Sequence, residues 1–238
     1  DILVVGGGGA GMVAAVEAYS GETASDANGL SVILIEKAGF LGGTTSVSGG
    51  AYYEYSDETG AYDDAWLDKV VASEKAIFEP FMNLEINEAL VRNLSSVIPQ
   101  ANRKVRETGV NAPSGAWGIQ LSPCDDHVEP EWSGAYLAYG MNKFLPMTGI
   151  DVRLNTRAMK ILTDESGAAI GVSVQDKTST YDIYAKKVIL ACGDFASNPD
   201  MIKQYAPEFE KGLIFGAGTN TGDGLRMALE VGAVPLGD

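Results

Sequence analysis

The sequence predicts an α/β fold: a central parallel sheet wrapped by surface helices and joined by a small antiparallel β-meander. Three observations carry this. An apolar run without alternation, Ile2 to Val5, leads through a glycine turn into an alanine-rich helical stretch, Ala10 to Tyr19, and then into a second apolar run, SVILIEK. Runs of that kind suit strands buried on both faces, and strand, helix and strand make one β-α-β unit. From Asp151 onward, short β segments follow one another with turn signals between them, and near the end a third apolar run, KKVILACGDF, stops on small residues.

The intervening elements follow in order. The polar connection GETASDANGL separates the first helix from the second strand. Asp63 to about Gly109 has helical periodicity in AWLDKVVASEKAIF and in EINEALVRNLSSVIPQANRKVRETG, with Pro80 marking a break and Pro99 a kink. NAPSGAWGIQLSPCDDHVEPEWSG is polar, carries prolines and lacks a period, which predicts a loop. AYLAYGMNKFLPM predicts a helix, and residues 151–186 (DVRLN, RAMKILTD, AAIGVSVQD and STYDIYA) predict the meander. A short helix is expected in SNPDMIKQYAP, and TGDGLRMALEVGA reads as a glycine turn into a closing helix.

Composition narrows the function. With 238 residues the chain can bury a sizeable core. A net charge of -15, from 17 basic and 32 acidic residues, repels nucleic-acid backbones and anionic lipid headgroups. No stretch is apolar for long enough to cross a bilayer, and two cysteines make no disulfide framework. Because Asp1 opens a strand expected to be buried, something upstream is expected to have been removed, which leaves localisation open between the cytoplasm and export. The 29 glycines cluster at turns, as in a backbone shaped to approach a ligand.

The chemistry concentrates at the first turn. Gly6, Gly8 and Gly11 spell G-x-G-x-x-G between a strand and a helix, within the run Gly6, Gly7, Gly8, Gly9, Ala10, Gly11. The first glycine permits the turn, the second lets a diphosphate approach the backbone, and the third lets helix and strand pack closely, while the helix dipole favours an anion. Glu36 ends the second strand, where a carboxylate can accept hydrogen bonds from ribose hydroxyls, beside Lys37. This carboxylate argues against a 2'-phosphate. The interval to Glu36 exceeds the usual one of about 20 residues, and the excess sits in GETASDANGL. Directly after it, GFLGGTTSVSGG supplies Gly42, Gly43, Gly49 and Gly50 with the hydroxyls of Thr44, Thr45 and Ser48. A dinucleotide of the NAD type has no need of such a second loop, whereas FAD has a ribityl chain and ring to cradle, so the expected cofactor is FAD.

Taken in order, VVGGGGAGMVAA, VILIEK, GGTTSVSGG, VILACGDF and TGDGLRMALEVGA resemble the FAD domain of the fumarate reductase and succinate dehydrogenase flavoprotein family, with its flavocytochrome fumarate reductases, urocanate reductases and 3-ketosteroid dehydrogenases. The likeness runs from end to end. It implies a Rossmann-like FAD-binding domain over residues 1–238, with a helical and loop insertion at 63–133. It also implies diphosphate contacts at Gly6 to Gly11, a ribose contact at Glu36, and a path along the cofactor from Gly42 through Gly50. The backbone at Ala158 would meet adenine, and Ala191, Cys192 and Gly193 with Thr221, Gly222 and Asp223 would close the site. Asp223, between two glycines at a helix start, has the chemistry of an N-cap as well. Cys192 and Asp194 stand where the family often has threonine and glycine, and the GGTTSVSGG loop is closer to the ketosteroid dehydrogenase form.

The family places a substrate-capping domain after the TGDG helix, so the chain is expected to be an excised domain whose acid-base residues lie elsewhere. The implied activity is hydride transfer between flavin and a substrate carbon, reducing an activated C=C bond. Desaturation of a ketosteroid and a non-catalytic nucleotide-binding module are the alternatives. Implied partners are a small unsaturated acid or ketosteroid and an electron-donor protein or domain. An NAD-dependent dehydrogenase is a further alternative. Cys124, Asp125, Asp126 and His127 lack the two-part spacing of a zinc site and are expected to form a solvated loop. Tyr52, Tyr53 and Tyr55 are expected to pack as aromatics rather than to meet ligand.

Overall fold

The structure is a computed structural model that describes residues 1–20, 28–48, 51–52, 64–78, 85, 88, 110–111, 119–120, 122–123 and 133–234. In chain order its elements are β1 (Ile2–Val5), α1 (Gly9–Tyr19), β2 (Val32–Ile35), β3 (Ala51–Tyr52) and α2 (Asp64–Phe78). Next come β4 (Val110–Asn111), β5 (Ile119–Gln120), β6 (Ser122–Pro123), α3 (Ser133–Phe144), β7 (Asp151–Arg153) and β8 (Arg157–Thr163). The last are β9 (Ala169–Gln175), β10 (Thr180–Tyr184), β11 (Lys187–Leu190), α4 (Pro199–Tyr205) and α5 (Asp223–Glu230).

The main sheet has the order β11-β1-β2-β7, with every pairing parallel. β1 is therefore flanked on both sides, which explains its unbroken apolar sequence. Side chains alternate across a strand, so its two faces enter separate cores. Val4, Val32 and Leu34 pack with Met12, Ala15 and Val16 of α1 and with Met141 and Phe144 of α3. Leu3, Val5 and Ile35 pack instead against Ile161, Val172, Val174 and Ile183 of a three-stranded antiparallel sheet, with Met227 of α5. Leu3, Val4, Met12, Leu34 and Met227 are wholly shielded from solvent, each side chain contributing about 1.5–3 kcal/mol by burial.

That second sheet, of order β10-β9-β8, is the expected meander. Its hairpins close on aspartates that accept from following backbone amides: Asp164 from Ser166 and Ala168, Asp176 from Thr178 and Ser179. The meander nevertheless begins later than the sequence suggests. Asp151–Arg153 pairs in parallel with β2, and Asn155, at φ 53°, turns the chain out of one sheet before β8 enters the other. A three-residue strand is too short for alternation to reveal its partner.

The stretch expected to be loop contains β5, β6 and the second residue of β4: Val110 and Asn111 pair with Pro123 and Ser122, and β5 pairs with β3. Two-residue strands leave no period to detect. The helix expected from EINEALVRNLSSVIPQANRKVRETG, apart from helical Glu85 and Glu88, lies outside the described residues, as do Tyr53, Tyr55 and the Cys124 to His127 cluster. Tyr52 lies in β3. Among the described residues no helix is long and apolar enough to cross a membrane, and no cluster of three acidic, histidine or cysteine side chains suits a metal ion.

Candidate functional site

A cleft of about 480 Å³ opens over the C-terminal ends of β1, β2 and β11. This is where parallel α/β sheets place their ligands, and the volume suits a small-molecule site. The glycine turn forms its floor. Gly6 has φ 109°, and a Cβ there would drive into the Ala191 carbonyl oxygen. A Cβ on Gly11 would collide with the Gly6 carbonyl oxygen, so the close strand-helix contact expected of the third glycine is present. Gly8 is different: a Cβ there would meet no protein atom, because it would project into open space.

Gly8 is also the N-cap of α1, in extended backbone and with no side-chain cap bond. A helix start leaves its first amides without intrahelical acceptors, so the Ala10 and Gly11 N–H groups have no carbonyl one turn back. The helix dipole and the space above Gly8 suit a diphosphate. Gly7 faces the other way, donating to Glu36 Oε2 at 2.7 Å, while the Ala38 amide donates to Oε1 at 2.7 Å. Glu36 thus braces the turn as well as lining the cleft, and each of its oxygens keeps a second acceptor direction.

The second glycine segment crosses beside the first. Gly42, at φ 118°, donates to the Gly7 carbonyl at 2.8 Å, and Gly43 begins a 3-10 turn running to Val47. Thr45 Oγ1 accepts from the Gly9 amide at 3.1 Å. Thr44 Oγ1 donates to Asn220 Oδ1 at 3.3 Å and accepts from the Ala217 amide at 3.3 Å, tying this segment to the loop before α5. Ser48 turns back on the Thr45 carbonyl at 2.8 Å.

At the opposite wall, Ala191, Cys192 and Gly193 follow β11, with Gly193 at φ 71°. Burial pushes the Cys192 thiol up to about 11, reinforced by the nearby Asp223 charge, and its Sγ donates to the Val5 carbonyl at 3.4 Å. A thiol held protonated in this way is a packing group rather than a nucleophile.

Asp223 is held by three partners. Lys37 Nζ reaches its Oδ2 at 2.8 Å and Arg157 Nη2 its Oδ1 at 2.6 Å, and the Thr221 hydroxyl donates to Oδ2 at 3.1 Å. Burial alone would raise its pKa and is the largest single influence. The hydrogen bonds and charges of Lys37 and Arg157 together outweigh it and hold the carboxyl below the usual carboxylate range. Asp223 is the first residue of α5 rather than its cap. Gly222, left-handed at φ 76°, takes the cap position, where the αL backbone favours glycine.

Of the residues singled out in the sequence, Gly6, Gly8, Gly9, Ala10, Glu36 and Lys37 line the cleft, as do Gly43, Thr44, Thr45 and Ala158. So do Ala191, Cys192, Gly193 and Asp223. Gly7, Gly11, Gly42, Ser48, Thr221 and Gly222 shape the wall from behind, and Gly49 and Gly50 lie outside the described residues. Thr156, Arg157, Thr219 and Asn220 also line it and were not anticipated. The signal for Asn220 was its place just before TGDG, whereas Arg157 carried none beyond standing next to Ala158.

The family model for the FAD binding domain matches residues 1–238. Urocanate reductase of Eggerthella lenta is 31% identical over 98% of the chain and 38% of its own length. The 3-oxosteroid 1-dehydrogenase of Mycobacterium tuberculosis is 27% identical over 98% of the chain and 54% of its length. Among solved structures, the open conformation of a flavocytochrome c3 fumarate reductase superposes with a TM-score of 0.76 at 27% identity, covering 98% of this chain and 40% of that one. The chain thus spans about two fifths to half the length of these relatives. It has a helix terminus facing open space, flanked by an acceptor carboxylate and a hydroxyl-bearing second turn, a cradle that suits a dinucleotide. The chain belongs to the FAD binding domain family, with FAD as the cofactor.

Proposed function

We propose that this chain is the cofactor-holding part of a flavin oxidoreductase that reduces an activated C=C bond, with an unsaturated acid as substrate. Bound FAD supplies hydride transfer to and from a substrate carbon. The residues here bind and orient it: the amides at Gly8, Ala10 and Gly11 hold the diphosphate, Glu36 takes ribose hydroxyls, and Thr44 and Thr45 serve the second half of the cofactor. Lys37, Ala158 and the segments Ala191 to Gly193 and Thr221 to Asp223 complete the enclosure, with Gly42 through Ser48 shaping it. The acid-base groups are supplied by other parts of the protein, together with a substrate-capping domain and an electron donor.

The observation that carries this proposal is the open space over Gly8 at the start of α1, next to the Glu36 carboxylate. The likeness to urocanate reductase and to a flavocytochrome fumarate reductase supports the substrate class. A second possibility, C–C dehydrogenation of a ketosteroid, is supported by the 3-oxosteroid 1-dehydrogenase likeness and by the form of GGTTSVSGG. Assays of the full-length protein with fumarate, urocanate, acrylates and 3-ketosteroids separate the two. Turnover of the unsaturated acids is expected, and turnover of the steroid alone would favour the second. FAD binding without any turnover would favour a nucleotide-binding module.

A further inference from the structure

The Lys37, Asp223 and Arg157 cluster is built from parts of the chain far apart in sequence: the end of β2, the start of β8 and the first turn of α5. Asp223 is buried at 8% exposure, and its two oxygens are held from opposite sides. Lys37 Nζ also reaches Thr221 Oγ1 at 2.6 Å, so Oδ2 meets a cation and a hydroxyl that are themselves linked. The carboxylate therefore cannot rotate without breaking three hydrogen bonds. Its Oδ1 fixes Arg157 Nη2, yet the Arg157 side chain remains 51% exposed where it lines the cleft. A guanidinium pinned at one edge and open elsewhere has donors and a planar face to offer a ligand.

The sheet order says which part of a dinucleotide would meet it. The diphosphate position lies at the end of β1, and the ribose carboxylate follows β2. The next strand outward is β7, whose exit leads through Thr156 to Arg157, and the Thr156 amide bonds the Glu36 carbonyl at 2.8 Å. Continuing the same direction from diphosphate to ribose, the base would come to the β7 exit, beside Arg157.

We propose that Arg157 reads the adenosine half of the cofactor, that Asp223 positions its guanidinium, and that Lys37 positions Asp223, the three acting as one recognition unit. This rests on the FAD site described above and goes beyond it. An arginine suits the purine chemically, through cation-π contact with the ring or hydrogen bonds to its nitrogens.

The test is calorimetric titration of the full-length apoprotein with FAD and, separately, with ADP, which carries the adenosine diphosphate half alone. R157Q is expected to weaken both ligands by about tenfold, one good charge-assisted contact. R157K, which keeps the charge but loses the planar fork, should show most of that loss. K37Q and D223N should each weaken both ligands, and R157Q should cost little more in a D223N background than D223N alone. R226Q, which removes a neighbouring surface cation paired with Glu230, should leave both affinities unchanged.

Unchanged ADP affinity in R157Q and R157K would overturn the proposal, as would a loss confined to FAD. So would fully additive effects of R157Q and D223N, which mark independent sites. Failure of the wild-type protein to bind FAD or ADP would overturn the cofactor site itself as well. Loss in variants that still unfold cooperatively well above the titration temperature, with normal wild-type binding, sustains the unit.

Discussion

The two walls of the cleft are built on different principles. One is backbone: the glycine turn from Gly6 to Ala10 offers the open space over Gly8 and the start of α1, and close main-chain packing sets its geometry. The other is made of side chains: Lys37 meets Asp223 across 186 positions of sequence, and Arg157 meets it across 66. The backbone wall tolerates no added atom where it packs and accepts one where it faces ligand. The side-chain wall depends instead on charge balance. Shape at one wall and electrostatics at the other should therefore fail under different perturbations.

The largest effect is expected at the packed side of the backbone wall. G11V drives a branched side chain into the Gly6 carbonyl and should destabilise the fold by about 3 kcal/mol or more, read by denaturant unfolding. E36Q comes next. Both Glu36 oxygens accept from amides, and the Gln amide group would set a donor against one of them, at a cost of about 1–3 kcal/mol.

At the side-chain wall, D223N should cost on the order of 1 kcal/mol at neutral pH, since Lys37 and Arg157 are partly open to screening solvent. The sign of its pH dependence follows from the depressed carboxyl. The stabilisation is present above the unfolded value, near about pH 4, and disappears as the pH falls through the lower folded value. The gap between wild-type and D223N melting curves should therefore narrow in acid, and a gap that widened would contradict the ion cluster. The smallest effect concerns Cys192. With its thiol pushed up to about 11, alkylation at pH 8 in a C124S background should run on the order of a hundredfold slower than for a free thiol.

The same division explains what could be read from the sequence. The β1, glycine turn, α1 and β2 unit was legible because each step needs only neighbours: Gly6 for φ 109°, Gly11 for packing, an apolar strand for burial. The meander hairpins were legible for the same reason, through Asp164 and Asp176. Arg157 was not, since nothing local says that a β8 residue will face Asp223 from α5. The roles of Glu36 in bracing Gly7 and of Thr44 in tying down Ala217 were equally hidden, both being tertiary contacts. Gly222 rather than Asp223 takes the cap, at a left-handed φ of 76° that favours glycine.

The central claim is that the space above Gly8 is the diphosphate seat, and titration of FAD into the wild-type protein and G8V tests it most directly. Gly8 has ordinary backbone angles and an open surround, so valine should leave the unfolding midpoint almost unchanged. The wild-type protein should take up one FAD per chain, and G8V should lose at least tenfold in affinity for FAD and ADP alike. Equal binding by both proteins, or none by the wild type, would contradict it.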